Sequence, residues 1–145
     1  MKVFFLSSTA HNQSFGKVLE HLLEKDDRDI LAYNKEHITH IASLRGHPQP
    51  PTAKPLKGVG DGICELRLLY DVETLLRIYY FVDKEKDAMV LMNVIMKPDG
   101  CDKATHYEGS SKKKIDRQIK QSIELAKELK MDYLTSHYDY EEYPL

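Results

Sequence analysis

Three runs between residues 63 and 97 constrain this chain most: Ile63–Tyr70, Thr74–Val82 and Ala88–Lys97 are rich in β-branched and aromatic residues. Only Asp71–Glu73 and Asp83–Asp87 separate them. Connections that short can join only antiparallel neighbours, because parallel strands need a crossover of a dozen residues or more. An antiparallel three-strand meander is therefore expected. Upstream, residues 45–62 hold four prolines (Pro48, Pro50, Pro51, Pro55) and four glycines (Gly46, Gly58, Gly60, Gly62), which predicts a loop.

The flanks read as one further strand and three helices. Lys2–Ser7 is an apolar run of strand length. Phe15, Val18, Leu19, Leu22 and Leu23 follow at helical spacing, with Asn12 or Ser14 as the cap and Asp26–Asp29 as the end. A second helix is predicted over Asn34–Leu44, with Ile38, Ile41 and Ala42 on one face and Gly46 and Pro48 as stop signals. Ser110 or Ser111 should cap a last helix whose stripe is Ile115, Ile119, Ile123, Ala126 and Leu129. The expectation is an α+β fold with a small antiparallel sheet: strand, two helices, three-strand meander, C-terminal helix. At 145 residues this is one domain, placed at 1–130, followed by an acidic, tyrosine-rich tail at 131–145.

Composition excludes several classes. No apolar run reaches the roughly 20 residues of a membrane span, and the opening residues are too few for a signal-peptide core, so a cytoplasmic location is expected. Cys64 and Cys101 lack the paired spacing of a zinc site and read as reduced thiols. His37 and His40 stand three apart on the second predicted helix, but no third ligand accompanies them, and no metal or cofactor is expected. Neither a glycine-rich phosphate loop nor a nucleophile elbow is present. The net charge of −2 argues against bulk electrostatic adhesion to nucleic acid. That total hides a gradient: the last fifteen residues carry −4, residues 1–130 carry +2, and Lys97–Lys130 carries +3.

Two local patterns stand out. If the first turn centres on Val72, Arg67 lies directly opposite Arg77, an unfavourable pairing of like charges. Glu65 shares that face, and a register starting with Ala88 opposite Val82 adds Asn93 beside Arg77 and Lys97 beyond it. The cluster is either a surface ion network or a phosphate site built from planar arginine forks. Lys112, Lys113 and Lys114 crowd the first turn of the last helix, against its dipole. They are either a solvated run or part of an anion site. His106 and Tyr107 precede that helix, where a histidine can transfer protons near neutral pH.

The segment from Lys54-Pro55-Leu56-Lys57-Gly58 to Ile63-Cys64-Glu65-Leu66-Arg67, then Leu76-Arg77-Ile78-Tyr79-Tyr80-Phe81-Val82, resembles the RelE/HigB-type toxins, particularly the phage-derived HigB-like branch. The likeness continues through Val90–Lys97 and the helix containing Ile119–Leu129, and covers residues 30–130 with gaps. It implies a RelE-like α+β fold and a toxin of a toxin–antitoxin system, a ribosome-dependent mRNA endoribonuclease (mRNA interferase) neutralised by an antitoxin protein. Cleavage in that family sends the ribose 2′-hydroxyl against the adjacent phosphate without a metal. By position, Arg67 and Arg77 would hold the scissile phosphate, Lys57 and Lys97 would add charge, and Glu65 would be a possible base. His106 or Tyr107 is nominated as proton donor on physical grounds alone, since the loop after Lys97-Pro98 departs from the family pattern. Lys54 and Lys112–Lys114 are candidate RNA contacts. The competing classes are a catalytically silent RelE-like module binding RNA or a protein, and an interaction protein using Tyr133, Tyr138, Tyr140 and Tyr143. A further expectation is that the acidic tail folds over the basic face and tempers RNA binding.

Overall fold

A computed structural model of the chain describes residues 1–8, 28–56, 58, 60, 62–69, 74–98, 109–135 and 139–143. The predicted helix around Phe15–Leu23 lies outside the described residues. The predicted meander is present as β3 (Cys64–Leu69), β4 (Thr74–Asp83) and β5 (Ala88–Pro98), antiparallel throughout. The second turn is closed by Asp83, whose Oδ1 accepts the backbone N–H groups of Glu85 and Lys86 at 3.1 and 3.2 Å. This is the side-chain turn geometry that aspartate favours.

The sheet is larger than expected and is mixed. β1 (Lys2–Ser8) pairs in parallel with β5, so the anticipated small antiparallel sheet becomes an open six-stranded one in the order β2-β3-β4-β5-β1-β6. Two strands come from segments read as irregular. Within the predicted 45–62 loop, Ala53–Pro55 forms β2 against β3. Proline is tolerated there because an edge strand leaves one row of N–H groups unused. In the expected tail at 131–145, Asp139–Glu142 forms β6 against β1, and Tyr143 is buried with its N–H donating to Val3 O at 2.7 Å.

The described helices cover opposite faces of this α+β sheet. α1 (Arg28–Ser43) starts earlier than the predicted Asn34 and buries Ile38, Ile41 and Ala42 as expected. Its buried Asn34 bridges the end of β3, donating to Leu69 O at 2.7 Å and accepting Leu69 N–H at 2.8 Å. Gly46, at φ 76°, closes the helix by donating its N–H to Ile41 O at 2.9 Å. A Cβ there would clash with Val82 Cγ2. α2 (Gly109–Leu134) begins before the serines nominated as its cap and runs through the anticipated boundary at 130. Its stripe buries Ala126 and Leu129, with Ile119 and Ile123 packed partly behind them.

Side-chain alternation on β4 assigns the two faces. The Tyr80 hydroxyl donates to Gly46 O at 3.0 Å, on the α1 side. Phe81 meets Tyr133 of α2 edge-to-face at 5.3 Å, and Asn93 donates to Ser122 O of α2 at 2.9 Å. Arg77 and Tyr79, which alternate with Tyr80, therefore belong to the α2 face. Among the described residues no helix is long and apolar enough to cross a membrane.

Candidate functional site

The register places Arg67 opposite Arg77, as the turn position predicted, and Glu65 opposite Tyr79. β2 adds Lys54 opposite Glu65. Four ionisable side chains of the expected set thus share one region of the α2 face, toward the β2 edge. Glu65 is the anionic centre of that set. Its Oε1 lies 3.2 Å from Arg77 Nη1 and its Oε2 lies 3.5 Å from Lys54 Nζ. Glu65 is 2% exposed and Arg77 8%, whereas the Lys54 side chain is 45% exposed. The pair of Glu65 and Arg77 is consequently a desolvated ion pair, for which geometry matters far more than for a surface bridge.

Arg67 is in a different situation. It is half-buried and forms no ion pair with a carboxylate among the described residues, and its Nε is buried with no hydrogen-bond acceptor there. Its backbone N–H donates to Thr52 O at 2.8 Å, which ties β3 to the turn before β2. The side chain lines an open cleft of about 580 Å³ together with Pro50, Pro51, Lys54, Pro55 and Leu56. One wall of this cleft is cationic and the other is apolar.

Tyr79 belongs to the same cluster and was not nominated from the sequence. Burial first, then the negative charge of Glu65, pushes its phenol up to about 12, and Arg77 opposes the rise. The hydroxyl therefore keeps its proton at neutral pH. A tyrosine inside an apolar strand reads as core, yet the register that pairs Arg67 with Arg77 also pairs Tyr79 with Glu65.

The remaining nominated residues are distributed as follows. Asn93 is not beside Arg77, because Ala88 pairs with Asp83 and a bulge between Tyr79 and Tyr80 shifts the ladder by one more residue. Ile95 takes the place opposite Arg77, and Asn93 stands opposite Tyr79. Lys97 is on β5 opposite Leu75; its side chain is not among those described. Lys113 and Lys114 are exposed in the second turn of α2, just ahead of Asp116, and the first turn of that helix holds no acidic residue. The side chain of Lys112, and Lys57, His106 and Tyr107 entirely, lie outside the described residues. His37 stacks on Tyr33 at 3.9 Å and His40 bonds Gln49 at 2.9 Å. Among the described residues no group of three His, Cys, Asp or Glu could hold a metal ion.

The acidic residues of β6 do not cover this cluster. β6 occupies the opposite edge of the sheet from β2. Comparison with family models, with curated proteins and with solved structures finds no match for this chain.

Proposed function

We propose that the chain is a RelE/HigB-type toxin acting in the cytoplasm as a ribosome-dependent mRNA endoribonuclease, with a cognate antitoxin as its neutralising partner. The observation that carries this reading is Arg67: a guanidinium held opposite a second arginine, with no carboxylate partner among the described residues, at the wall of a cleft it shares with Lys54. A fold that sets two like charges across a strand pair accepts a cost, and an anionic ligand offsets it.

In the proposed reaction the ribose 2′-oxygen attacks the adjacent phosphorus as it gives up its proton to a solvent water. The bond to the 5′-oxygen breaks, that oxygen takes up a proton, and a 2′,3′-cyclic phosphate remains. Arg67 and Lys54 would bind the phosphate oxygens and stabilise the charge that builds on them. Arg77 would support them from beneath, with Lys57 and Lys97 adding charge and His106 or Tyr107 supplying the leaving-group proton. The burial of Glu65 between Arg77 and Lys54 favours an anchoring role over that of a general base. Lys112–Lys114 would contact RNA outside the cleft.

The same burial of Glu65 and Arg77 favours a second reading, a catalytically silent RelE-like module that binds RNA. Induced expression separates the two. The first predicts growth arrest and fragmented translated mRNA, relieved by Arg67→Ala in a chain that still folds. Harmless expression of the wild-type chain with intact ribosome-bound mRNA refutes cleavage, and RNA binding that persists in that case supports the silent module.

A further inference from the structure

The cleft beside Arg67 has more apolar surface than a phosphate needs. Lys54 and Arg67 form its cationic part, while Pro50, Pro51, Pro55 and Leu56 form a wall with no side-chain charge or hydrogen-bonding group. A ligand that uses both parts must carry an anion next to a flat or apolar body. We propose that the proline wall is a base pocket, taking one unstacked nucleobase of single-stranded RNA while Lys54 and Arg67 hold the phosphate next to it. This rests on the reading of the cluster as an RNA phosphate site and adds the part of the nucleotide that the other wall would recognise.

The size and the rigidity of the cleft both agree with such an occupant. About 580 Å³ falls within the range of small-ligand sites, enough for a single nucleotide. A duplex cannot fill it, because both faces of every paired base are already stacked. Splayed bases of single strands are the ones that proteins sandwich against flat side chains. Proline rings lose no rotamer freedom when they are covered, so this wall is formed before the ligand arrives. It is also fixed relative to the cations. Lys54 sits on β2 between the prolines, and β2 is held by its ladder to Cys64–Leu66, by Ala53 N–H donating to Gln49 O at 3.0 Å, and by the Arg67 to Thr52 bond. Base and phosphate subsites therefore have a set spacing, which is what a site needs to read a nucleotide as one unit.

The test is equilibrium binding, independent of cleavage and of the ribosome. Two fluorescein-labelled 2′-O-methyl hexamers are titrated against the full chain, one of mixed sequence and one abasic throughout. The wild-type chain should bind the base-bearing hexamer about tenfold more tightly, within the range attributed to one stacked base. Pro51→Ala with Pro55→Ala, both at exposed positions, should remove most of that difference and leave abasic affinity and the salt dependence unchanged. Lys54→Ala should weaken both hexamers alike and lower the salt slope by about one. Equal wild-type affinity for the two hexamers, with Lys54 still required, overturns the base pocket and leaves the phosphate site standing. Binding of neither hexamer overturns both. A proline variant that weakens both hexamers to the same extent also overturns the base pocket, and the wild-type comparison needs no variant to fold.

Discussion

Neutralising Glu65 asks whether its carboxylate is what lets Arg67 and Arg77 face each other across β3 and β4. The pair of Glu65 and Arg77 is 3.2 Å apart and almost wholly buried. At an effective dielectric of about 20, a separation of that size corresponds to roughly 5 kcal/mol of attraction before desolvation is subtracted. Lys54, at 3.5 Å but 45% exposed, adds at most about 1 kcal/mol. Glu65→Gln preserves shape and one acceptor oxygen while leaving the Arg77 guanidinium buried with a like charge opposite. Removing one partner of such a pair costs about 3–5 kcal/mol, and the retained acceptor sets the expectation at about 3 kcal/mol. Urea titration should show the midpoint falling by roughly 1.5 M with an unchanged slope. Glu65→Leu with Arg77→Met should return to within about 1 kcal/mol of wild type, because replacing both charges by apolar groups removes the desolvation cost as well. A Glu65→Gln loss below about 1 kcal/mol, with the single changes additive in the double variant, would refute the reasoning and show that the pair is screened.

Other outcomes follow from the buried groups. The phenols of Tyr79, Tyr80, Tyr133 and Tyr143 are all raised by burial, Tyr79 to about 12. The unfolded chain releases these protons near pH 10 while the folded chain keeps them, so their contribution is complete below pH 10 and declines above it. Tyr79→Phe should flatten that alkaline decline by about 1.4 kcal/mol per pH unit between pH 10 and 12; an unchanged slope contradicts the assignment. Gly46→Ala should cost at least about 2 kcal/mol, since it meets both a left-handed backbone and Val82 Cγ2, and wild-type melting would contradict this. Tyr143→Ala should cost about 3 kcal/mol by emptying its buried site beside Phe5, measured by the same urea titration.

The elements that were legible in the sequence are those whose partners are close along the chain. The turn between β3 and β4 leaves one register, and Arg67 opposite Arg77 follows from it. The stripe of α2 and the stop at Gly46 are likewise local signals. β2 and β6 were not legible for two separate physical reasons. β2 carries Pro55, which suits only an edge, and an edge is defined by what is absent beside it. β6 is dense in charge because, among the described residues, only one of its edges is paired, so Asp139, Glu141 and Glu142 resemble a solvated tail until β1 is known to lie alongside. The Asn93 position failed through a bulge, which inserts a residue without a marked sequence signal. Tyr79 could have been nominated, since it needed only the register already in hand.

The sheet order also settles how the charge gradient acts. β2 and β6 are the two edges of a six-stranded sheet, separated by five strand intervals. At about 4.8 Å per interval the acidic strand is roughly 24 Å from Lys54 on β2 and roughly 19 Å from Arg67 on β3. This is two to three screening lengths at physiological ionic strength, so Asp139, Glu141 and Glu142 cannot temper binding at Arg67 and Lys54 from where they sit. Their position instead blunts an open edge, where charge discourages pairing with another chain. Truncation after Lys130 therefore acts on stability before it acts on RNA. It removes Tyr133, packed on Phe81 and hydrogen-bonded to Asp83 at 2.8 Å, and Tyr143, buried beside Phe5. Losing two such aromatic side chains costs about 3–5 kcal/mol each, comparable to the whole stability of a domain this size. The truncated chain should be largely unfolded by circular dichroism at 25 °C. A truncated chain that melts cooperatively and binds RNA more tightly at low salt would refute this and restore the tail as an electrostatic cover.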